Sequence, residues 1–67
     1  MEFKDKVRAV RAELLITQTQ LAKELGCTLV TVNRWEKGVM PPSFILEQKF
    51  RKFCKENGLN PDELEGI

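Results

Sequence analysis

Apolar residues recur along this chain at helical spacing, and polar residues fill the positions between them. Phe3, Val7, Val10 and Leu14 stand at i, i+4, i+7 and i+11, with Lys4, Lys6, Arg8 and Glu13 off that stripe. The pattern predicts a first helix over 2–14. Thr17 and Gln20 then form a T-x-x-Q capping box, and Ile16 and Leu21 flank it as a hydrophobic staple. The helix it starts, over 18–25, carries Leu21, Ala22 and Leu25 inward and stops at Gly26, a residue that accepts the left-handed backbone past a helix end. Thr28 caps a third helix over 28–37, with Val32 and Trp35 on one face; Gly38 closes it, and Pro41-Pro42 forbid its continuation. Alternation from Thr28 to Val32 is too short, and too closely framed by helix signals, to make a strand.

Ser43 caps a fourth helix over 43–57, with Leu46, Phe50 and Phe53 on its buried face, Phe44 and Cys54 at the edges and Gly58 at its end. Asn60-Pro61-Asp62-Glu63 start a short fifth helix over 61–65: a cap, a proline at the first position and an acid three residues on. Leu59 and Leu64 repeat the staple spacing. The fold class expected is all-α, a compact four- to five-helix arrangement filling 1–67 as one domain.

Composition narrows the function. A chain of 67 residues buries only ~60% of the surface it exposes when unfolded, so there is one small core and little room for a cleft. No apolar run exceeds three residues, which excludes a transmembrane helix and a secretory signal and leads us to expect a cytoplasmic protein. The sequence has no His, and Cys27 and Cys54 lack C-x-x-C spacing, so no metal site is expected and both cysteines read as reduced small hydrophobes. No nucleophile with a base, paired-carboxylate pocket or phosphate loop is evident. We therefore expect no catalytic residues, no enzymatic activity, no cofactor and no small-molecule ligand.

The segment from Gln18 to Lys37 carries the functional signal. Its two helices are separated by a residue or two, which forces a sharp turn, and Ala22 is small where they would cross closely. The second helix is left with an outward face of Thr28, Leu29, Val30, Asn33, Arg34 and Lys37. A short projecting helix of this kind fits the DNA major groove, which admits one α-helix.

At this point the sequence resembles a known family. Gln18-x-x-Leu21-Ala22-x-x-Leu25-Gly26, then Val32-x-x-Trp35-Glu36-x-Gly38, then Pro42-Ser43, is similar to the helix-turn-helix domain of phage repressors, Cro proteins and XRE-type regulators, over roughly residues 3 to 64. The resemblance implies a lambda repressor-like fold and a partner in double-stranded DNA. It makes the helix from Gln18 a positioning helix and that from Thr28 the recognition helix. Leu29, Val30, Asn33 and Arg34 match positions that reach base edges, while Gln18, Thr28 and Lys37 match positions near phosphates. Arg11 and Glu36 match a charge pair that ties the first helix to the end of the recognition helix. Many relatives carry Gln, Ser or Arg where this chain has Leu29 and Val30; apolar residues there pack on thymine methyl groups, leaving hydrogen-bonded readout to Asn33 and Arg34. The fourth helix reads about one turn longer than in many relatives.

Charge adds little. The net charge is +1, with seven cations against five acids over residues 1 to 40 and four against five beyond. One copy would make few phosphate contacts, so we expect homodimeric binding to a short inverted repeat. Phe44, Ile45 and the segment from Leu59 to Ile67 are the dimer-patch candidates. The basic run Lys49, Arg51, Lys52 and Lys55 reads as a solvated face, and Trp35 as core. The competing class is a protein-interaction module, antitoxin- or adaptor-like, centred on Leu29 and Val30. In either class the outward face of the third helix is the working surface.

Overall fold

The computed structural model describes residues 2–63, which form α1 (Phe3–Leu14), α2 (Gln18–Leu25), α3 (Leu29–Lys37), α4 (Phe44–Glu56) and a 3-10 turn (Pro61–Glu63). The expected starts at 2, 28 and 43 each move in by one residue, because Glu2, Thr28 and Ser43 stand outside their helices as caps with extended backbone. The Thr17 capping box is complete: Gln20 N donates to Thr17 Oγ1 at 3.1 Å and Thr17 N donates to Gln20 Oε1 at 2.8 Å.

One core serves all four helices. Val7 and Val10 of α1, Leu21, Ala22 and Leu25 of α2, Val32 and Trp35 of α3, and Phe50 and Cys54 of α4 are buried in a single cluster. Phe3 stands edge-on to both Trp35 and Phe50, with ring centroids 5.4 and 5.3 Å away, an arrangement that the ring quadrupoles favour. α3 packs on α1 and α2, and α4 on α2, so α1 and α4 brace the α2–α3 pair.

The C-terminal third departs most from expectation. α4 closes at Asn57, one residue before Gly58, so it ends at Glu56 rather than 57. Cys54, expected at the edge of the buried face, is fully buried, while Phe44 is 76% exposed and belongs to no core. Phe44 is the first residue of α4, beyond the reach of the neighbouring helices. The fifth helix is a 3-10 turn over Pro61–Glu63 among the described residues; Leu64, its staple partner role and the remainder of 61–65 lie outside them. Pro61 is buried, and Asp62 links the turn to α1 through Lys6 at 2.7 Å and to α4 through Arg51 at 3.5 Å.

Candidate nucleic-acid interface

Two turns place the interface. After α2, Gly26 takes φ 70°, Gly26 N donates to Lys23 O at 3.3 Å and Cys27 N to Ala22 O at 2.9 Å. That Schellman closure leaves room for Thr28 to cap α3 at once, its Oγ1 accepting from Thr31 N at 3.2 Å. α3 divides by periodicity. Val32, Trp35 and Glu36 turn inward; Leu29, Val30, Arg34 and Lys37 turn out, with Asn33 half-buried between the two faces.

The outward side chains form one surface. Gln18, Leu29, Val30, Asn33, Arg34, Lys37 and Val39 line an open concavity of about 510 Å³. Six of the seven residues expected to contact DNA therefore stand together; Thr28 is exposed but does not line this concavity. Val39, 70% exposed, was missed by sequence reasoning because it follows the helix stop at Gly38 and no periodicity reaches it.

Behind this surface lies a charge clamp. Arg11 of α1 meets Glu36 of α3 side-on, Nε donating to Oε2 at 2.6 Å and Nη2 to Oε1 at 2.8 Å. The pair matched by resemblance is thus formed, and Glu36 is 4% exposed. Arg8, one turn earlier on α1, adds a bond from Nη2 to the Glu36 carbonyl at 2.6 Å and a guanidinium nitrogen 3.8 Å from Oε1. Sequence reasoning missed Arg8, although its i, i+3 spacing with Arg11 places both on one helix face. Burial pushes the Glu36 carboxyl up, but hydrogen bonds from Arg11 and Gln18 and the charges of Arg11 and Arg8 outweigh it and hold the group below the ordinary range. A buried pair of this kind chiefly fixes geometry, here the angle between α1 and α3. One further link runs outward: Asn33 Nδ2 donates to Gln18 Oε1 at 3.3 Å, joining α3 to the first residue of α2.

Neither cysteine takes part. Both are free thiols, and burial pushes Cys54 up to about 11, so it stays protonated at neutral pH and packs as a small apolar group. No helix among the described residues is long and apolar enough to cross a membrane.

Comparison with known proteins agrees with this layout. The sequence profile of the helix-turn-helix family matches residues 7–64. The solution structure of the DNA-binding domain of the P22 C2 repressor (residues 1–76) superposes with a TM-score of 0.75 at 26% identity, covering 96% of this chain and 80% of that one. Among curated proteins no match is found. With the α2–turn–α3 unit in place and the profile covering most of the chain, this protein belongs to the helix-turn-helix family, in its phage repressor and Cro-like branch.

Proposed function

We propose that this protein is a sequence-specific reader of double-stranded DNA that regulates transcription by occupying its site. The observation that carries this reading is the outward face of α3, where Leu29 and Val30 are 47% and 53% exposed with nothing over them and the cations Arg34 and Lys37 follow. Such a face suits a groove with thymine methyls along one side and phosphates along both walls. On this reading Leu29 and Val30 pack on thymine methyls, Asn33 faces adenine and Arg34 faces guanine. Gln18, Thr28 and Lys37 meet phosphates, Gln18 and Thr28 from helix starts where backbone N–H groups are free. A regulator of this kind acts by occupancy and needs no chemistry of its own.

A homodimer on an inverted repeat completes the proposal. The domain measures 25 × 22 × 22 Å, shorter than the ~34 Å of one DNA helical turn, so one copy spans a half-site. Two copies about one turn apart would double the phosphate contacts that a net charge of +1 leaves scarce. Phe44 and Ile45, 76% and 66% exposed at the start of α4, are the described candidates for the dimer contact. The segment from 64 to 67, also expected to contribute, lies outside the described residues.

The test is selection from a randomised duplex pool at physiological salt. The expected result is a short palindromic motif bound with affinity that falls steeply with salt, and Arg34→Ala costing ~1–3 kcal/mol with relaxed preference at one base pair. Recovery of no motif would favour the second reading, a protein-interaction module, which the same two uncovered apolar residues support. Leu29→Lys then abolishes partner binding while leaving the fold intact.

A further inference from the structure

The first turn of a helix is the wrong end for a cation, because the helix dipole is positive there. Lys4 sits in the first turn of α1. Its side chain finds a different helix end. The methylene stem lies across Gly38, the residue that closes α3: a Cβ on Gly38 would meet Lys4 Cδ at 3.2 Å and Lys4 Nζ at 4.0 Å. The ammonium is thereby held beside the last turn of α3, where the dipole is negative and a cation is favoured. Lys37, the last residue of α3, lines the same open hollow of about 320 Å³ as Lys4. Met40, Pro41 and Pro42 give the hollow an apolar side, and Glu2 stands on its rim, paired with Lys4 at 3.4 Å.

This hollow continues the nucleic-acid interface. Lys37 lines both it and the concavity of α3, so a strand that follows the concavity past Lys37 meets Lys4 next. The chain from Gly38 to Ser43 carries no charged residue, so cations at this end of α3 come from Lys37 and from α1. Building on the reading of α3 as a DNA reader, we propose that Lys4 and Lys37 together hold one run of the DNA backbone, which extends the interface from α3 onto α1. The two kinds of wall match the two parts of that backbone. A phosphate lies between the ammonium groups, and the deoxyribose beside it rests on Met40 and the prolines. Lys4 needs little further ordering, because its stem already lies on Gly38. The contact also adds to the phosphate neutralisation that a net charge of +1 leaves scarce. Glu2 opposes it: its carboxylate holds the Lys4 ammonium in the free protein and repels an incoming phosphate. The Glu2–Lys4 pair is open to water on both sides, so it is weak and readily exchanged for DNA.

The experiment measures affinity against salt concentration for wild type, Lys4→Ala, Lys4→Arg, Glu2→Gln and Lys55→Ala, the last a control on the exposed face of α4. The DNA is the duplex recovered by selection, together with duplexes altered at one base pair at a time. The expected result is that Lys4→Ala lowers the slope of log K against log salt by about 1 and weakens every duplex alike. Lys4→Arg keeps the wild-type slope, Lys55→Ala matches wild type, and Glu2→Gln binds more tightly than wild type, most clearly at low salt. Melting of the free proteins separates a structural role. A Lys4→Ala variant that melts earlier but keeps the wild-type slope overturns the proposal and leaves Lys4 a cap for α3. Loss of preference at a single base pair overturns it too, since a backbone contact carries no sequence information. If Lys4→Ala does not fold, Glu2→Gln decides, and an affinity no higher than wild type overturns the proposal. Absence of any salt-dependent DNA binding by wild type removes the reading of α3 and this extension together; normal wild-type binding with an unaltered Lys4→Ala slope removes the extension alone.

Discussion

The turns after α1 and α2 make the same pair of backbone hydrogen bonds, yet one is closed by a glycine and the other by a leucine. After α2, Gly26 sits at φ 70°; after α1, Leu15 sits at φ 56°, the only non-glycine residue with positive φ among those described. Leu15 N donates to Ala12 O at 3.3 Å and Ile16 N to Arg11 O at 3.1 Å, matching the pattern around Gly26. A left-handed Cβ crowds the following carbonyl and costs about 1–2 kcal/mol, and Leu15 recovers none of it by burial, being 90% exposed. What holds the first turn comes from elsewhere. Arg11 Nη1 donates to the Ile16 carbonyl at 3.3 Å while the rest of its guanidinium grips Glu36. The α2–α3 turn is closed by its backbone around an unstrained glycine; the α1–α2 turn has the same backbone bonds around a strained leucine and is further tied by a side chain that also anchors α3. One turn is therefore local, and the other is coupled to the position of α3.

The strongest test of that contrast is to cut the clamp. Arg11→Ala leaves a buried carboxylate with Arg8 as its remaining cation, 3.8 Å away, and releases the Ile16 carbonyl, and we expect a loss of roughly 3 kcal/mol in chemical denaturation. For a chain of 67 residues, with ~0.05–0.15 kcal/mol of stability per residue, that is a large share of the whole. The dependence on pH checks the cause. The folded-state pKa of Glu36 is depressed, so its stabilisation is complete above the unfolded carboxylate value and fades as pH falls through the folded one. The gap between wild type and Arg11→Ala should therefore be widest at neutral pH and narrow on acidification. A gap independent of pH would show that Arg11 acts through its bond to the Ile16 carbonyl and its hydrocarbon stem and not through Glu36.

Gly26→Val probes the other turn, with a smaller expected effect. A Cβ there would meet nothing closer than Lys49 Nζ at 3.8 Å, an ordinary contact, so the penalty is backbone strain and not a clash. For a β-branched residue forced to φ 70° we expect a loss of roughly 2 kcal/mol, read by thermal melting. Neutral behaviour would mean the turn is not held left-handed in solution. Because the turn is local, the loss should show no dependence on pH through the carboxylate range, unlike that of Arg11→Ala.

The same contrast explains what could be read from the sequence. Gly26 and Gly38 are legible as stops because glycine is the residue such a backbone selects, and Thr17, Thr28 and Ser43 are legible as caps because their short hydroxyl side chains suit that role. Leu15 could not be read that way: the apolar stripe places the end of α1 near it, but nothing in a leucine announces a left-handed residue. Periodicity likewise assigns Val32 and Trp35 to the core and Leu29, Val30 and Arg34 to the surface. It does not tell which of several polar residues will meet across elements. The Arg11–Glu36 pair was available only through resemblance; Arg8 shares a helix face with Arg11, but its bond to the Glu36 carbonyl, like the Gln18–Asn33 bond, depends on the crossing of helices and could not be read. Phe44 was misplaced because an apolar residue in the first turn of a helix looks the same whether or not a neighbour reaches it.

Leu15→Gly is the smallest change and the most informative about the first turn. Removing the side chain gives up no buried surface, since Leu15 is 90% exposed, and it relieves the left-handed strain. Against this stands the greater freedom of glycine in the unfolded chain, roughly 0.5–1 kcal/mol, so the net gain should be about 0.5–1 kcal/mol. Thermal melting of the single variant reads the gain, and melting in the Arg11→Ala background shows where the strain is carried. If the clamp holds a strained turn in place, the glycine gain persists or grows when Arg11 is gone, because the turn then has only its backbone to keep it closed. A gain that vanishes without Arg11 would mean that the clamp itself imposes the left-handed residue, and that α1 would otherwise end in a different geometry.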